Sequence, residues 1–355
     1  MSLRVLHAPA EIAGQASVLA QGLRDLGVEA HSLATNPGFP QYTPDEMRPY
    51  DAWPPLPRYL GYLGNLLRHA GRWDVYHFHF GRTLVPPHNP DLPLYQALGR
   101  AVVFHYHGCD IRNRIHMLET HAHATCTECD PFCVAPRQRQ ILASARRFVD
   151  QELVSTPDLL ESAPRAWHLP VAADLARYPF TPTSGTPRLV LHAPTNRLIK
   201  GTRYVERAYD VLRPRFPATG FEVVERLAWT ELRDRLATAD VVVDQVFMGW
   251  YGMVAVEAMA MGKPVLCFIR PDFEPRLRDC PIVRCTLEDL PDRLLELLGD
   301  PERCRALGEA GRAYVEREHA HTVLAQRLVE LYRGLGVDGG PAVPAAGETE
   351  SQPHA

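Results

Sequence analysis

The sequence predicts an α/β protein made of two Rossmann-like domains that face each other across a cleft, and three observations carry that prediction. A strand–loop–helix–strand unit opens the chain, and the same unit returns near residue 189. The third is the stretch Val241 to Ile269, which packs a buried strand, a glycine-bearing loop, a helix and a second strand into 29 residues. A chain of 355 residues also exceeds one ordinary core and calls for two domains.

In the first unit, Arg4 to Ala8 reads as a strand and Pro9 to Gly14 as a loop. Gln15 to Leu26 is a helix with Val18, Leu19, Leu23 and Leu26 on one stripe, and Gly27 closes it before the strand Val28 to Leu33. In the second unit the strand is Leu189 to Ala193, the loop Pro194 to Gly201, the helix Thr202 to Leu212 and the next strand Phe221 to Val224. The letters recur as well, since Val5-Leu6-His7-Ala8-Pro9 reappears as Val190-Leu191-His192-Ala193-Pro194. These repeats set a first domain over residues 1–171, a proline-rich linker over 172–187 and a second domain over 188–319. The helix in 320–334 is expected to return to the first domain, and 337–355 to be a disordered tail.

Between the repeats, Tyr42 to Pro57 reads as an irregular excursion and Tyr59 to His69 as a helix. Two strands follow, Asp74 to Phe80 and Ala101 to Tyr106. Histidines recur there at period two, His77 with His79 and His105 with His107, so each pair shares a face of its strand, and Tyr76, Phe78 and Phe80 point the other way. Thr230 to Ala239 is a helix leading into the Val241 strand. That strand, Val241 to Val243, is a β-branched run of the kind buried on both faces in a parallel sheet. The chain then turns through Gly249 and Gly252, enters a helix carrying Val256 to Met261, stops at Gly262 and resumes as the strand Val265 to Ile269. Helices over Leu290 to Leu298, Glu302 to Leu307 and His321 to Arg333 complete the reading.

With 46% apolar and 23% charged residues the chain is globular, and a net charge of −4 argues against a general nucleic-acid binder. No uninterrupted apolar run reaches the roughly 18 residues of a membrane span. The opening MSLRVLHAPA lacks the apolar core of a signal peptide. A cytoplasmic setting follows, in which the eight cysteines are free thiols or metal ligands rather than disulfides.

Over roughly residues 3 to 334 the chain resembles the retaining, nucleotide-sugar-dependent glycosyltransferases of GT-B fold, the large family-four or group 1 type. The run from Gly249 to Val265, GWYGMVAVEAMAMGKPV, is similar to that group's glycine-bearing loop followed by Glu and EAMA-x-G-x-PV. Asn196-Arg197-Leu198-Ile199-Lys200-Gly201 resembles its basic loop for the donor diphosphate. His107-Gly108-Cys109-Asp110 resembles its HG-x-D turn beside the transferred sugar, and Gly14 its N-terminal glycine loop. Leu169-Pro170-Val171 with Asp174 is similar to the segment entering the hinge. There are two departures: Gly249 stands eight positions before Glu257, where the family carries a first acidic residue, and Arg197 and Lys200 are separated by two residues, closer than in many members.

The resemblance implies transfer of a sugar from a nucleotide-diphosphate donor to a hydroxyl acceptor, with retention of configuration. The acceptor would be a glycan, a lipid-linked carrier or a small molecule. Catalytic roles fall on His107, Arg197 and Lys200. Donor binding falls on Gly14, Asn196, Arg197, Lys200, Gly252, Met253, Val254 and Glu257, with Glu257 on the ribose hydroxyls and the N–H groups of Met253 and Val254 at the phosphate. The chemistry of the residues agrees, because a leaving diphosphate needs cations and a helix N-terminus against its growing charge. No Asp-x-Asp motif occurs, so no metal cofactor is expected for the transfer.

Two other functions fit part of the pattern. A non-catalytic nucleotide- or sugar-binding protein on the same fold would explain Gly249. A metal-dependent hydrolase could use the strand-end His-x-His pairs, but such an enzyme should be a single barrel. Cys126-x2-Cys129-x3-Cys133 has spacing suited to a structural zinc or an iron–sulfur cluster, completed by Cys109, His116, His121 or His123; free thiols fit it too. Arg137, Arg139, Arg146 and Arg147 flank Ile141, Leu142 and Phe148 in a basic amphipathic helix, suited to peripheral membrane contact or to an ordinary surface.

Overall fold

The computed structural model describes residues 3–36, 43–121, 123–129 and 133–337. All of the expected tail except Val337 lies outside these, as do Tyr42 and the residues before Gln138 numbered 130–132.

Seven strands form the first sheet: β1 (Arg4–Ala8), β2 (Glu29–Ala34), β3 (Glu46–Met47), β4 (Val75–His79), β5 (Ala101–Tyr106), β6 (Gln151–Val154) and β7 (Trp167–His168). They run parallel in the order β3-β2-β1-β4-β5-β6-β7. The helices between them are α1 (Gln15–Asp25), α2 (Pro55–His69), α3 (Leu92–Ala97), α4 (Arg114–Thr120) and α5 (Ala135–Phe148). The second sheet has β8 (Leu189–His192), β9 (Gly220–Val223), β10 (Val241–Val243), β11 (Val265–Cys267) and β12 (Val283–Arg284), parallel in the order β12-β11-β10-β8-β9. With it go α6 (Arg197–Lys200), α7 (Thr202–Leu212), α8 (Trp229–Thr238), α9 (Met253–Ala260), α10 (Glu274–Leu277), α11 (Leu290–Leu298), α12 (Pro301–Glu318) and α13 (His321–Gly334).

Both copies of the Val-Leu-His-Ala-Pro run therefore supply the strand at which its sheet changes direction of growth, β1 between β2 and β4 and β8 between β9 and β10. Ligands of open parallel sheets bind at such points, beyond the carboxyl ends of the strands. Alternation along the strands of the first sheet divides its two cores. Val5, Val75, Val103 and Leu153 meet α1 and α13 on one face. Leu6, Tyr76, Phe78, Phe104 and Tyr106 meet Tyr95 of α3 and Ile141 of α5 on the other. In the second sheet, Leu191, Val242 and Cys267 pack on α9, and Val190, Val243 and Leu266 pack on α7 and α11.

The linker is bound rather than loose. Tyr178 is buried in the core of the second sheet, and Thr181 N donates to Met261 O at 2.9 Å. Where the chain leaves the first sheet it is tied to the point where it comes back: Ala173 N donates to His319 O at 2.8 Å and His321 N to Ala173 O at 3.0 Å. From there α13 lies against α1.

Several helices differ from the sequence reading, which contains none of α3, α4 and α10; three of the differences have a plain cause. α2 begins at Pro55, whose missing N–H costs nothing in a first turn. The expected loop 194–201 contains the turn α6. The helix expected over 302–307 runs on to Glu318 through Gly308 and Gly311, which serve as contacts. A Cβ on Gly308 would lie 2.0 Å from Gly262 O, and one on Gly311 3.1 Å from Met259 Cγ, so these glycines let α12 approach α9.

Gly308→Ala is accordingly expected to lower stability by about 1–3 kcal/mol through overpacking. Gly64→Ala, in the interior of α2 with open space around the added Cβ, should instead stabilise by about 0.5–1 kcal/mol. Denaturant melts of the two variants test this, and equal effects would contradict it.

Candidate functional site

At the change-over point of the second sheet, the segment after β8 and the segment after β10 converge. Asn196 opens α6 as its cap, its Oδ1 accepting from Leu198 N at 3.0 Å and Ile199 N at 3.1 Å, so this part of its side chain serves the turn. Gly201 ends the turn at φ +73°, where a Cβ would collide with Val246 Cγ2 at 2.6 Å. The turn aims Lys200 inward. Its Nζ donates to Gln245 Oε1 and lies 3.6 Å from Asp244 Oδ1. A Cβ placed on Gly252 would be 2.9 Å from that Nζ, so the ammonium sits directly at the N-terminus of α9, and Gly252 makes room for it.

Asp244 Oδ2 accepts from Gly252 N at 2.6 Å. The next N–H groups, on Met253 and Val254, fall in the first turn and have no acceptor within the helix. Lysine, helix N-terminus and close backbone are the groups from which anion sites are built, and here the Asp244 carboxylate meets both the ammonium and the Gly252 N–H. Arg197 does not join it here. Its guanidinium is paired with Glu206 at 2.6 Å and Glu225 at 2.7 Å on the surface. Glu257 is buried, and its Oε1 accepts from Tyr178 Oη at 2.9 Å, which ties α9 to the linker.

Gly249 stands at φ +79°, and a Cβ there would lie 2.7 Å from Arg270 Cγ. The first acidic residue of the family pattern thus has no place in this backbone. The space belongs to Arg270, buried against Phe273 with its Cζ 3.9 Å from the ring centre. Its guanidinium reaches across the cleft to Glu161 at 2.6 Å and His121 at 2.7 Å. Sequence reasoning missed Arg270, and no motif marks it.

On the facing sheet, Gly14 caps α1 at φ +81°, beside Gln15, whose side chain holds Ala172 through N→Oε1 at 2.7 Å and Nε2→O at 3.1 Å. His107 ends β5. Its N–H and that of Gly108 donate to Asp110 at 3.1 and 2.7 Å, and burial raises the Asp110 carboxyl to about 6. The His107 ring is the last of a column. His7 Nδ1 pairs with His79 Nε2 at 3.0 Å, and His79 Nδ1 with His107 Nε2 at 2.9 Å. His77 pairs with His105 at 3.3 Å and with Tyr332 Oη of α13 at 2.6 Å.

The period-two pattern placed four of these histidines on common faces; the parallel register, His7 opposite His77 and His79 opposite His105, adds His7. Two triplets, His7/His77/His79 and His79/His105/His107, bring their ring nitrogens within 4.8 Å of one another. The barrel that the hydrolase reading requires is nevertheless replaced by two open sheets.

Cys126, Cys129 and Cys133 do come together, with Cys109, around one small cavity that also touches Arg112, Thr125 and Ile199. The apolar residues of α5 are turned to the core, where Ile141 is buried and Leu142 and Phe148 are partly so. A run of exposed apolar side chains lies along α2 and its approach, at Trp53, Leu56, Tyr59, Leu60 and Leu67, with others elsewhere, such as Ile115 and Val211.

Two facing Rossmann-like sheets, joined by a linker and re-joined by a C-terminal helix, define the GT-B fold, and this chain adopts it. Sucrose-phosphate synthase from Thermosynechococcus elongatus is similar over 95% of this chain and 100% of its own, with TM-score 0.64 and 15% identity. Anabaena HepE in complex with UDP-glucose matches 94% of this chain and 100% of its own, with TM-score 0.58 and 12% identity. TarM of S. aureus, in a complex that includes UDP, matches 78% of this chain and 58% of its own, with TM-score 0.53 and 13% identity. In sequence, 83 residues are 34% identical to a GDP-mannose-dependent monoacylated alpha-(1-6)-phosphatidylinositol monomannoside mannosyltransferase from Corynebacterium glutamicum, and the match spans 22% of each chain. No protein-family model matches.

Two predictions follow from this geometry. Gly249→Glu, which restores the family letter, should lower the melting temperature and gain no donor affinity, because strain at positive φ and the clash with Arg270 act together; an unchanged melt would contradict the packing. The second concerns acid. Burial lowers the pKa of His7 to about 3, of His192 and His319 to about 4, and of His77, His79 and His105 well below 6.5. The unfolded chain then binds more protons than the folded one, so stability is full above about pH 6.5 and falls toward pH 4, by up to about 1.4 kcal/mol per pH unit for each histidine. Melting temperature against pH checks this, and a flat curve from pH 7 to 5 would refute it.

Proposed function

We propose that the chain is a glycosyltransferase that moves a sugar from a nucleoside-diphosphate donor to a hydroxyl acceptor, with retention of configuration. The observation that carries the proposal is the convergence of Lys200 with the N-terminus of α9 at the change-over point of the second sheet. In this reading the β-phosphate rests on the N–H groups of Met253 and Val254. Lys200 supports the charge that grows as the sugar C1–oxygen bond breaks. The acceptor oxygen forms the new bond to C1, and its proton leaves on the departing phosphate. Glu257 takes the ribose hydroxyls, sharing its carboxylate with Tyr178. Arg197 must leave Glu206 and Glu225 to reach the phosphates. His107 and Gly14 border the sugar from the facing sheet, and no metal cofactor takes part in the transfer.

The two halves divide the work in this proposal, donor on residues 188–319 and acceptor on 1–171, in a cytoplasmic protein. No helix among the described residues is long and apolar enough to cross a membrane. A lipid-linked acceptor would meet the exposed apolar side of α2. A second reading, nucleotide or sugar binding without turnover, is favoured by Gly249, whose surroundings admit no carboxylate.

Lys200→Ala should weaken nucleoside diphosphate binding by roughly 10–150-fold, the loss of a charged hydrogen bond, and leave the bare nucleoside almost untouched. Glu257→Gln should weaken both alike. Titration calorimetry on folded variants measures the two effects, and an equal effect of Lys200→Ala on both ligands would remove the donor assignment. Release of diphosphate from a panel of nucleotide-sugars then separates transfer from binding alone.

A further inference from the structure

The eight cysteines divide into two groups of four. Cys267 and Cys304 are buried residues of the second unit whose sulfurs face backbone carbonyls, Cys285 N donates to Cys267 O at 3.1 Å across paired strands, and Cys280 is partly buried. The other four gather from separate places. Cys109 lies in the turn after β5, Cys126 in the helical turn Thr125–Thr127, Cys129 just after it, and Cys133 ahead of α5. All four line a single cavity of about 10 Å3.

The segment that carries them is held mainly by polar ties, Arg112 to Asp158 and Gln138 to the carbonyls of Cys109 and Arg112 among them. Among the described residues, its own apolar cluster has Met117, Ala124 and Cys126 as buried members, with Cys129 packed against them. A core this small gains from a further tie. Four thiols from a C-x2-C-x3-C run and a distant partner are a complete ligand set for a tetrahedral ion. A donor for the sulfurs is also in place: Arg112, held by Asp158 at 2.7 Å, points Nη1 at Cys109 Sγ from 3.8 Å. Such an outer contact offsets the negative charge of a tetrathiolate centre.

We propose that Cys109, Cys126, Cys129 and Cys133 bind one structural zinc ion. A cavity the size of about one water admits a single ion and not an iron–sulfur cluster. Among described residues, the groups with ligand atoms within 4.8 Å of one another are made of histidines and Glu161. The sulfurs stand further apart around their cavity, and bonds of about 2.3 Å would draw them in by side-chain rotation.

The ion would brace one wall of the cleft. Thr125 Oγ1 donates to Ile199 O at 3.2 Å, within the turn that presents Lys200, and Glu128 accepts from Tyr204 Oη at 2.8 Å. The clip therefore connects the turn after β5 to α6 and α7 of the other sheet.

Elemental analysis of the purified full-length chain tests the proposal independently of any activity. The expected result is about one zinc per chain, lost in the double variant Cys126→Ser/Cys129→Ser and kept in Cys304→Ser. Should the double variant fail to fold, the wild-type chain stripped by chelator and reconstituted with cobalt decides: the visible bands of tetrahedral thiolate cobalt are expected. A metal-free chain, zinc retained by a folded double variant, iron accompanied by sulfide, or no thiolate cobalt spectrum would each overturn it.

Discussion

The paired crossing of the chain between the two sheets is the constraint on which the rest of the structure depends. Outbound, Val171 to Ala173 leaves the first sheet; inbound, His319 to His321 returns to it. The two segments are held to each other by Ala173 N→His319 O, His321 N→Ala173 O and the contact of His319 Nδ1 with Val171 O at 2.7 Å. Tyr251 adds a bond to His319 Nε2 at 3.0 Å from the loop that leads into α9. Gln15 grips Ala172 from the start of α1. One junction thereby fixes three things: the seat of α13 on α1, the exit of the linker, and the position of the loop before α9. All of these groups are buried or nearly so, where an unmet hydrogen bond costs most.

This junction explains why the fold was legible in the sequence while the details of the site were not. Strand and helix periods, the repeated Val-Leu-His-Ala-Pro run and the glycine stops are local signals, and they suffice to place β1, α1, β8, α7 and β10. Gly308 marks the limit of such signals, because a glycine that admits a neighbouring helix has the same letter as one that ends its own. The site is a matter of which loops meet. Sequence spacing put Lys200 and Gly252 on separate loops, but only the strand order brings the ammonium to the helix end. Arg197 and Asn196 matched the same motif, yet one is paired with Glu206 and Glu225 and the other caps its turn. A motif fixes residue types; competition among neighbours decides where each side chain goes.

The first sheet shows the same rule at larger scale. Along one face, the valines of β1, β4 and β5 give way to histidines toward the carboxyl ends. Neutral imidazoles pack there as flat, polarizable rings whose nitrogens bond to one another, so the face stays buried under α13 without charge. His107 inherits its orientation from this stack through His79. The ring nearest the cleft is thus set by residues that never approach the surface.

Gly249 and Arg270 have a consequence of another kind. The arginine side chain occupies the volume that any side chain at 249 would need, and the same guanidinium reaches Glu161 and His121 of the first domain. The two positions are coupled: an acid at 249 meets the arginine stem, and a smaller residue at 270 leaves Glu161 with His116 and His121 alone among the described residues. In evolutionary terms the pair is epistatic: a carboxylate at 249 becomes tolerable only once the residue at 270 has changed as well.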